Sequence, residues 1–295
     1  MMTYYLAATA PETIDLGFVQ LGWFKVLILG IVQGITELLP ISSTAHMRIV
    51  PSLLGWPDPG LAFSAVLQMA SLAAVMSYFW KDINSLIGGT IRSVRDGNYQ
   101  SNDFRMTMGI VIGTIPLIIV GLLFQKTLKA PGSPFRSLVA IGIACIVMSL
   151  LLALAEFIGT RKRNFDRLTL QDGWWVGVVQ ALAIVPGVSR SGSTITGALF
   201  LGMERETAAK FSFLLGLPAV ILAGAAAFHE LLKAGLSTEG WLLLLVGLIS
   251  GSISSFAAIY GLLRYLEKQS TWIFVWYRLA MGLFLIVGSL QGFLH

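Results

Sequence analysis

Two apolar stretches of this chain are broken in the middle by polar residues, and those breaks restrict the fold more than any other feature. Residues 23–54 are interrupted by Pro40-Ile41-Ser42-Ser43-Thr44, and residues 174–202 by Pro186-Gly187-Val188-Ser189-Arg190-Ser191-Gly192. Each reads as two short helices around a polar break, a re-entrant hairpin; a kinked ordinary span is the alternative. Irregular backbone at membrane depth persists only where protein or a wet cavity satisfies its hydrogen bonds. The rest of the sequence implies the membrane. Six further apolar runs lie near residues 61–80, 106–125, 137–157, 208–228, 241–263 and 272–290. Each approaches the ~20 residues that a bilayer core requires. Only 12% of the 295 residues are charged and 56% are hydrophobic, with a mean hydropathy of +0.79. A soluble domain carries about 25% charged residues, so this chain lacks the polar surface to face water. Its formal charge of +5 is no sign of nucleic-acid binding, because the basic residues lie mostly in loops between apolar runs. A single cysteine, Cys145, excludes an internal disulfide framework. Residues 1–11 lack the basic start and the apolar length of a cleaved signal.

The two interruptions are related to each other. Gly30-Ile31-Val32-Gln33 matches Gly177-Val178-Val179-Gln180, and Pro40-Ile41-Ser42 falls in the same register as Gly187-Val188-Ser189. Phe63-Ser64 aligns with Phe211-Ser212, one residue out of that register. The chain therefore reads as one membrane domain of two repeats, residues 23–158 and 173–293, each a broken hairpin followed by three spans. Three is odd, so the second repeat is upside down. The expected fold is an all-α polytopic membrane protein: six transmembrane helices plus two re-entrant helical hairpins in an inverted-topology repeat.

Basic residues orient it. Twelve in the connecting segments, Lys81, Arg161, Arg163, Arg205 and Lys210 among them, fall on one side. Four, Lys126, Lys129, Arg136 and Lys233, fall on the other. The richer side is expected in the cytoplasm, which puts both termini outside. Residues 82–102 read as an interfacial or loop stretch. Trp23, Trp80, Trp174, Trp175, Trp241 and Trp272 read as interface anchors.

The chemistry concentrates at the breaks. Glu37 falls in the last turn before Pro40, where the helix dipole is negative, so it needs a cation or a proton. Gln33, one turn earlier on the same face, adds an oxygen, and the pair suits a hard cation such as Mg²⁺ or Ca²⁺. A protonated Glu37 bonded to a neighbouring helix is the plainer alternative. Ser42 or Ser43 is the expected N-cap of the helix after Pro40. His46 lies within one turn of both serines, and a histidine is the commonest base for a hydroxyl nucleophile. Thr44 adds a further polar group. In the second hairpin Arg190 stands between Ser189 and Ser191, with Gly187 and Gly192 permitting close backbone approach. Its planar fork matches phosphate oxygens, and the helix it opens presents free N–H groups; a plain ion pair with Glu37 is the alternative. Together these groups suit phosphoryl transfer, which is mostly positioning and charge stabilisation. Gln68, Ser64 and Ser212 lie within spans and either line the site or make ordinary interhelical bonds. Arg278, inside the last run, reads as snorkelling or paired, and Glu156 as interfacial.

At Gln33-Gly34-Ile35-Thr36-Glu37-Leu38-Leu39-Pro40-Ile41-Ser42-Ser43-Thr44-Ala45-His46 and at the second break, the sequence resembles the bacterial undecaprenyl-pyrophosphate phosphatase family, also known for bacitracin resistance. Phe211-Ser212-Phe213-Leu214-Leu215 and the spans are similar as well. Ala45 stands where the family has glycine. The resemblance implies removal of the terminal phosphate from undecaprenyl pyrophosphate by a divalent-cation-dependent enzyme of the inner membrane. The lipid monophosphate would return to peptidoglycan synthesis, and bacitracin would act indirectly, by sequestering the substrate. The family's serine pair, histidine and arginine fall on Ser42 and Ser43, His46 and Arg190, and the residues fit the reaction with Ser43 as nucleophile and His46 as its base; a variant with His46 activating water or attacking directly stays open. Glu37 and Gln33 would hold the metal. Arg190 would take the developing charge, while Ser42, Thr44, Gly187, Ser189, Ser191, Gln68 and Ser212 surround the lipid headgroup. Its partners are then the polyprenyl pyrophosphate, membrane lipids and, as an open alternative, a second copy. A lipid flippase or secondary transporter is the competing reading, because carriers use the same interrupted helices.

Overall fold

The computed structural model describes residues 16–129 and 133–294, so the opening stretch considered above as a signal lies outside it. Among the described residues the chain is helical, with one isolated bridge between Arg163 and Met203. Among the described residues six helices are long and apolar enough to cross a membrane. They are α3 (Leu61–Tyr78), α5 (Asn102–Lys129), α6 (Leu138–Ile158), α9 (Arg205–Ala234), α10 (Thr238–Leu266) and α11 (Trp272–Leu290). They fall where the apolar runs predicted them. The two interrupted stretches break as expected: α1 (Gly22–Leu38) and α2 (Ser43–Leu54) flank the first interruption, and α7 (Leu170–Gln180) and α8 (Arg190–Phe200) the second. The second is longer, beginning with a 3₁₀ turn at Ala181–Ile184. Residues 82–102 are more regular than an open loop: α4 (Trp80–Arg95) covers most of them. It buries Gly89 and Ser93 and leaves Ile87, Ile91 and Val94 exposed.

Helix association in an apolar medium depends on close van der Waals contact, so small residues mark the seams. Gly34 of α1 lies against Gly251 of α10, where an added Cβ would collide with backbone. Gly177 of α7 meets Gly113 of α5 in the same way. Each first half-helix therefore packs against the middle span of the other half of the chain, α1 on α10 and α7 on α5. Contacts of α3 with α9 and of α6 with α11 complete the bundle. Outward faces carry bare apolar side chains such as Leu123, Phe157, Ile253 and Trp276, the surface a hydrocarbon solvent requires.

Ion pairs tie the end of α6 and the segment after it to the starts of α7 and α9, and a hydrogen bond from Thr271 adds the start of α11. Glu156 lies in the last turn of α6, at a span end as expected, and is buried there. Only 3% exposed, it accepts hydrogen bonds from Arg161 (3.1 Å), Arg205 Nε (3.0 Å) and the Thr271 hydroxyl (2.8 Å). Two cations and a hydroxyl make that burial tolerable. Arg163 binds Asp172 at 2.6 Å, and Asp172 closes a capping box with Thr169 at the head of α7. Burial by itself would raise the Asp172 pKa, but the bonds from Arg163 and Thr169 outweigh it and hold the carboxyl below its ordinary range. Lys210 reaches Asp82 at 2.6 Å. Trp241, near the start of α10, packs edge-on against Phe228.

Candidate active site

The two breaks use one backbone device. Ser42 and Ser189 hold the left-handed φ angles of +74° and +71°, a region that L side chains rarely occupy. Each serine caps the helix that follows, accepting from the backbone N–H of Ala45 (3.4 Å) or Gly192 (3.0 Å). Each also pairs with the hydroxyl two residues on, Ser42 with Thr44 at 3.1 Å and Ser189 with Ser191 at 3.3 Å. Of the two candidate caps in the first hairpin, Ser42 takes the role, which leaves the Ser43 side chain free for another partner.

Breaking a helix strands backbone groups, and the two hairpins satisfy some of them for each other: the second supplies a donor to carbonyls of the first, and the first an acceptor to an N–H of the second. Ser191 donates to the carbonyls of Glu37 (3.2 Å) and Leu39 (2.9 Å) at the end of α1. The Gly187 N–H reaches the Thr44 hydroxyl at 3.5 Å. Arg278 joins both breaks. Its guanidinium, 1% exposed, donates to the carbonyls of Pro40 (3.0 Å), Gly187 (2.9 Å) and Val188 (2.9 Å). It therefore neither snorkels nor joins an ion pair, as its position in the last run suggested; fixed carbonyl dipoles take the place of a counter-ion. Gly187 approaches Ile141 of α6 so closely that a Cβ would press on backbone.

Glu37 is the hub. One carboxylate oxygen accepts from the Ser43 hydroxyl (2.6 Å) and from Gln33 Nε2 (2.9 Å), and the other accepts from Arg190 Nη2 (3.1 Å). Arg190 lies where α9 has Gly216, at which a Cβ would overlap the guanidinium. The acid, the hydroxyl and the guanidinium of the two hairpins thus meet, and the ion pair weighed above as the alternative for Arg190 is formed. Gln33, Ser43, Thr44, Gln68 and Ser64 line an open cavity above them. Ser212 stands further back, buried and bonded to Thr194 at 2.5 Å, while Thr194 also donates to the Arg190 carbonyl.

His46 does not reach Ser43. Its Nδ1 lies 2.7 Å from the Ser42 carbonyl and its Nε2 2.6 Å from the Tyr277 hydroxyl, with the two rings stacked. A carbonyl only accepts, so Nδ1 carries the proton and Nε2 accepts from Tyr277. The expected serine–histidine pair is replaced by a serine–glutamate pair.

The sequence pattern described as "Bacitracin resistance protein BacA" matches residues 26–284. The chain belongs to that family. Among relatives with which it is aligned, the "Undecaprenyl-diphosphatase" of Trichormus variabilis is 49% identical over 98% of this chain and 90% of that protein. The one from Trichodesmium erythraeum is 51% identical over 92% and 88%, and "Undecaprenyl-diphosphatase 2" of Mesorhizobium japonicum 53% over 89% and 99%.

A divalent cation, were one bound, would find a small donor set here. No group of three or more His, Cys, Asp or Glu side chains occurs among the described residues. Glu37 and the Gln33 amide are the oxygens at hand. That set fits Mg²⁺, which keeps its waters and binds through one or two carboxylates plus substrate phosphates, better than Ca²⁺ with about six to eight oxygens. Tyr277, Thr194 and the clamping role of Arg278 escaped sequence reasoning. Only Arg278 left a signal, a charge inside an apolar run.

Proposed function

We propose that this chain is an integral-membrane phosphatase that hydrolyses undecaprenyl pyrophosphate to undecaprenyl phosphate and inorganic phosphate. What carries the reading is the 2.6 Å bond from the Ser43 hydroxyl to Glu37, with Arg190 on the same carboxylate. A hydroxyl is a weak nucleophile unless a base takes its proton, and Glu37 is the base in contact. Ser43 Oγ attacks the terminal phosphorus as its proton passes to Glu37. The bond from that phosphorus to the bridging oxygen breaks, and the lipid monophosphate departs. Water then cleaves the phosphoserine, restoring the hydroxyl and releasing phosphate. Arg190 and the N–H groups at the starts of α2 and α8 oppose the charge that builds on the phosphoryl oxygens. Gln33 and Glu37 would hold Mg²⁺, which when bound neutralises part of the diphosphate charge. His46, engaged on both nitrogens, fixes the start of α2.

The lipid class follows from location. Each buried CH₂ is worth about 0.8 kcal/mol, so a polyprenyl tail stays in the bilayer and the enzyme meets it there. The breaks act as re-entrant hairpins of an inverted repeat in the bacterial inner membrane, with the termini outside. The reciprocal packing of α1 on α10 and α7 on α5 supports the inversion. The gathering of Arg161, Arg163, Arg205 and Lys210 into ion pairs among helix ends supports one basic, cytoplasmic side. Nothing in the site favours the carrier reading.

Phosphate release tests the proposal. Purified protein in detergent, given a long-chain prenyl pyrophosphate and Mg²⁺, is expected to liberate inorganic phosphate, and Ser43→Ala to lose about 10³-fold or more in kcat. Undiminished turnover by Ser43→Ala would move the nucleophile elsewhere. Full activity in excess chelator would remove the metal.

A further inference from the structure

Charge accounting around the cavity singles out one side chain. Arg48 lines the cavity but is spent on Asp58, which lines it too. Arg190, behind the floor, is spent on Glu37 at 3.1 Å. Arg136 lines the same cavity as Ser43 and Gln33 and has no acidic partner among the described residues. It ends the turn Pro134–Arg136, two residues before α6 starts at Leu138, so the positive end of that helix lies beside it. Among the described residues, Arg136 is thus the cation of the half-buried cavity that has no acidic partner, and it stands at the wall rather than at the nucleophile. A diphosphate brings more negative charge than the Glu37–Arg190 pair can absorb without separating. A free phosphate leaving the floor passes the same wall.

We propose that Arg136 is a phosphate-binding residue of the cavity wall, distinct from the Glu37–Ser43–Arg190 group. This rests on the phosphatase reading for which phosphate it holds: a phosphate of the lipid headgroup on entry, or the inorganic phosphate on release. A planar guanidinium without an acidic partner among the described residues binds either by forked, charge-assisted hydrogen bonds. Through its long-range field it also raises the capture rate of an anionic headgroup, an effect that salt screens.

Full-length protein in detergent, as wild type, Arg136→Gln and Arg136→Lys, provides the test, read by KM and kcat for a long-chain prenyl pyrophosphate at low and high salt. Inhibition by inorganic phosphate and equilibrium binding of radiolabelled inorganic phosphate complete the measurements. Arg136→Gln is expected to raise KM about tenfold, near 1.4 kcal/mol, with kcat within about twofold, and to flatten the salt dependence of kcat/KM. Arg136→Lys is expected to recover most of the KM effect. A KM change with unaltered phosphate inhibition assigns the site to the headgroup. Weaker phosphate inhibition and binding with unaltered KM assigns it to the product. If KM, inhibition and labelled-phosphate binding all match wild type, or if lysine fails as fully as glutamine, the proposal is overturned. A wild type that releases no phosphate counts against the phosphatase reading alone, since the labelled-phosphate measurement needs no turnover.

Discussion

The first and second hairpins share a backbone and divide the chemistry. Ser42 and Ser189 take the same left-handed turn, cap the next helix with the same atom and pair with a hydroxyl two residues on. At matching places beyond them the side chains diverge: Ser43 against Arg190, Ala45 against Gly192, His46 against Ser193. Before the break, both carry the glutamine, Gln33 and Gln180, but only the first has an acid, where Glu37 faces Ile184. One hairpin supplies a hydroxyl and its base, the other a fixed positive charge. A single nucleophile needs a single base, so duplicating either would leave a buried charge uncompensated. The comparison teaches that the scaffold is general and that a few positions per hairpin specify the reaction.

The largest effect that sharpens this division is expected from Arg190→Lys. Lysine keeps the charge but not the fork, and it cannot bind Glu37 and phosphate oxygens at once as a planar guanidinium can. kcat is expected to fall about 10²-fold, the size seen when one charge-stabilising donor is lost. Folding should be unaffected by circular dichroism. Turnover close to wild type would mean that the second hairpin contributes charge alone.

Next in size is Arg278→Leu, which acts on what the hairpins share. Removing this guanidinium leaves the carbonyls of Pro40 and Val188 buried without their donor, and that of Gly187 with only the weak Cys145 thiol. At about 1–3 kcal/mol for each stranded group, a loss of several kcal/mol is expected, read as a lower thermal midpoint in detergent. Turnover should fall further than stability, since Ser43 and Arg190 lose their common reference. An unchanged midpoint would show that the two breaks are held together by something else.

Much of this was legible, and the rest was hidden for identifiable reasons. Pro40 and Gly187 inside apolar runs announce the breaks, and a carboxylate, a serine pair and an arginine at membrane depth announce chemistry. Those are local signals. The Ser43–Glu37 bond is short-range too, yet sequence reasoning paired Ser43 with His46 because helical spacing set them within one turn. The spacing was right, but rotation about Cα–Cβ decided the partner. Tyr277 lies too far along the chain for any spacing rule to reach, and it takes the imidazole. Arg278 was visible as an anomaly but not as a clamp, because stranded carbonyls of two distant breaks converge only in three dimensions. Those carbonyls were nonetheless a debt to be settled by some donor, and an arginine within a span was the natural place to look. Glu156 was legible as the end of a span but its burial was not, because Arg205 and Thr271, which bond it, come from distant connecting segments.

The smallest expected effect tests the shared backbone directly. At Ser42 and Ser189 glycine removes the cost of a left-handed φ, about 1–3 kcal/mol. It also gives up the side-chain cap, worth a few tenths against glycine, and adds roughly 0.5–1 kcal/mol of unfolded-chain entropy. These terms oppose each other, so each substitution should move stability by no more than about 1 kcal/mol, or roughly 2–4 °C. If the two breaks are one device, Ser42→Gly and Ser189→Gly shift the midpoint in the same direction and by the same amount. Their effects on turnover should still differ in kind. A looser position 42 disorders the neighbouring nucleophile and lowers kcat, whereas a looser position 189 disorders Arg190 and raises KM as well. Midpoints that move in opposite directions would separate the two turns despite their matching angles, and the likeness of the hairpins would then be one of shape without shared energetics.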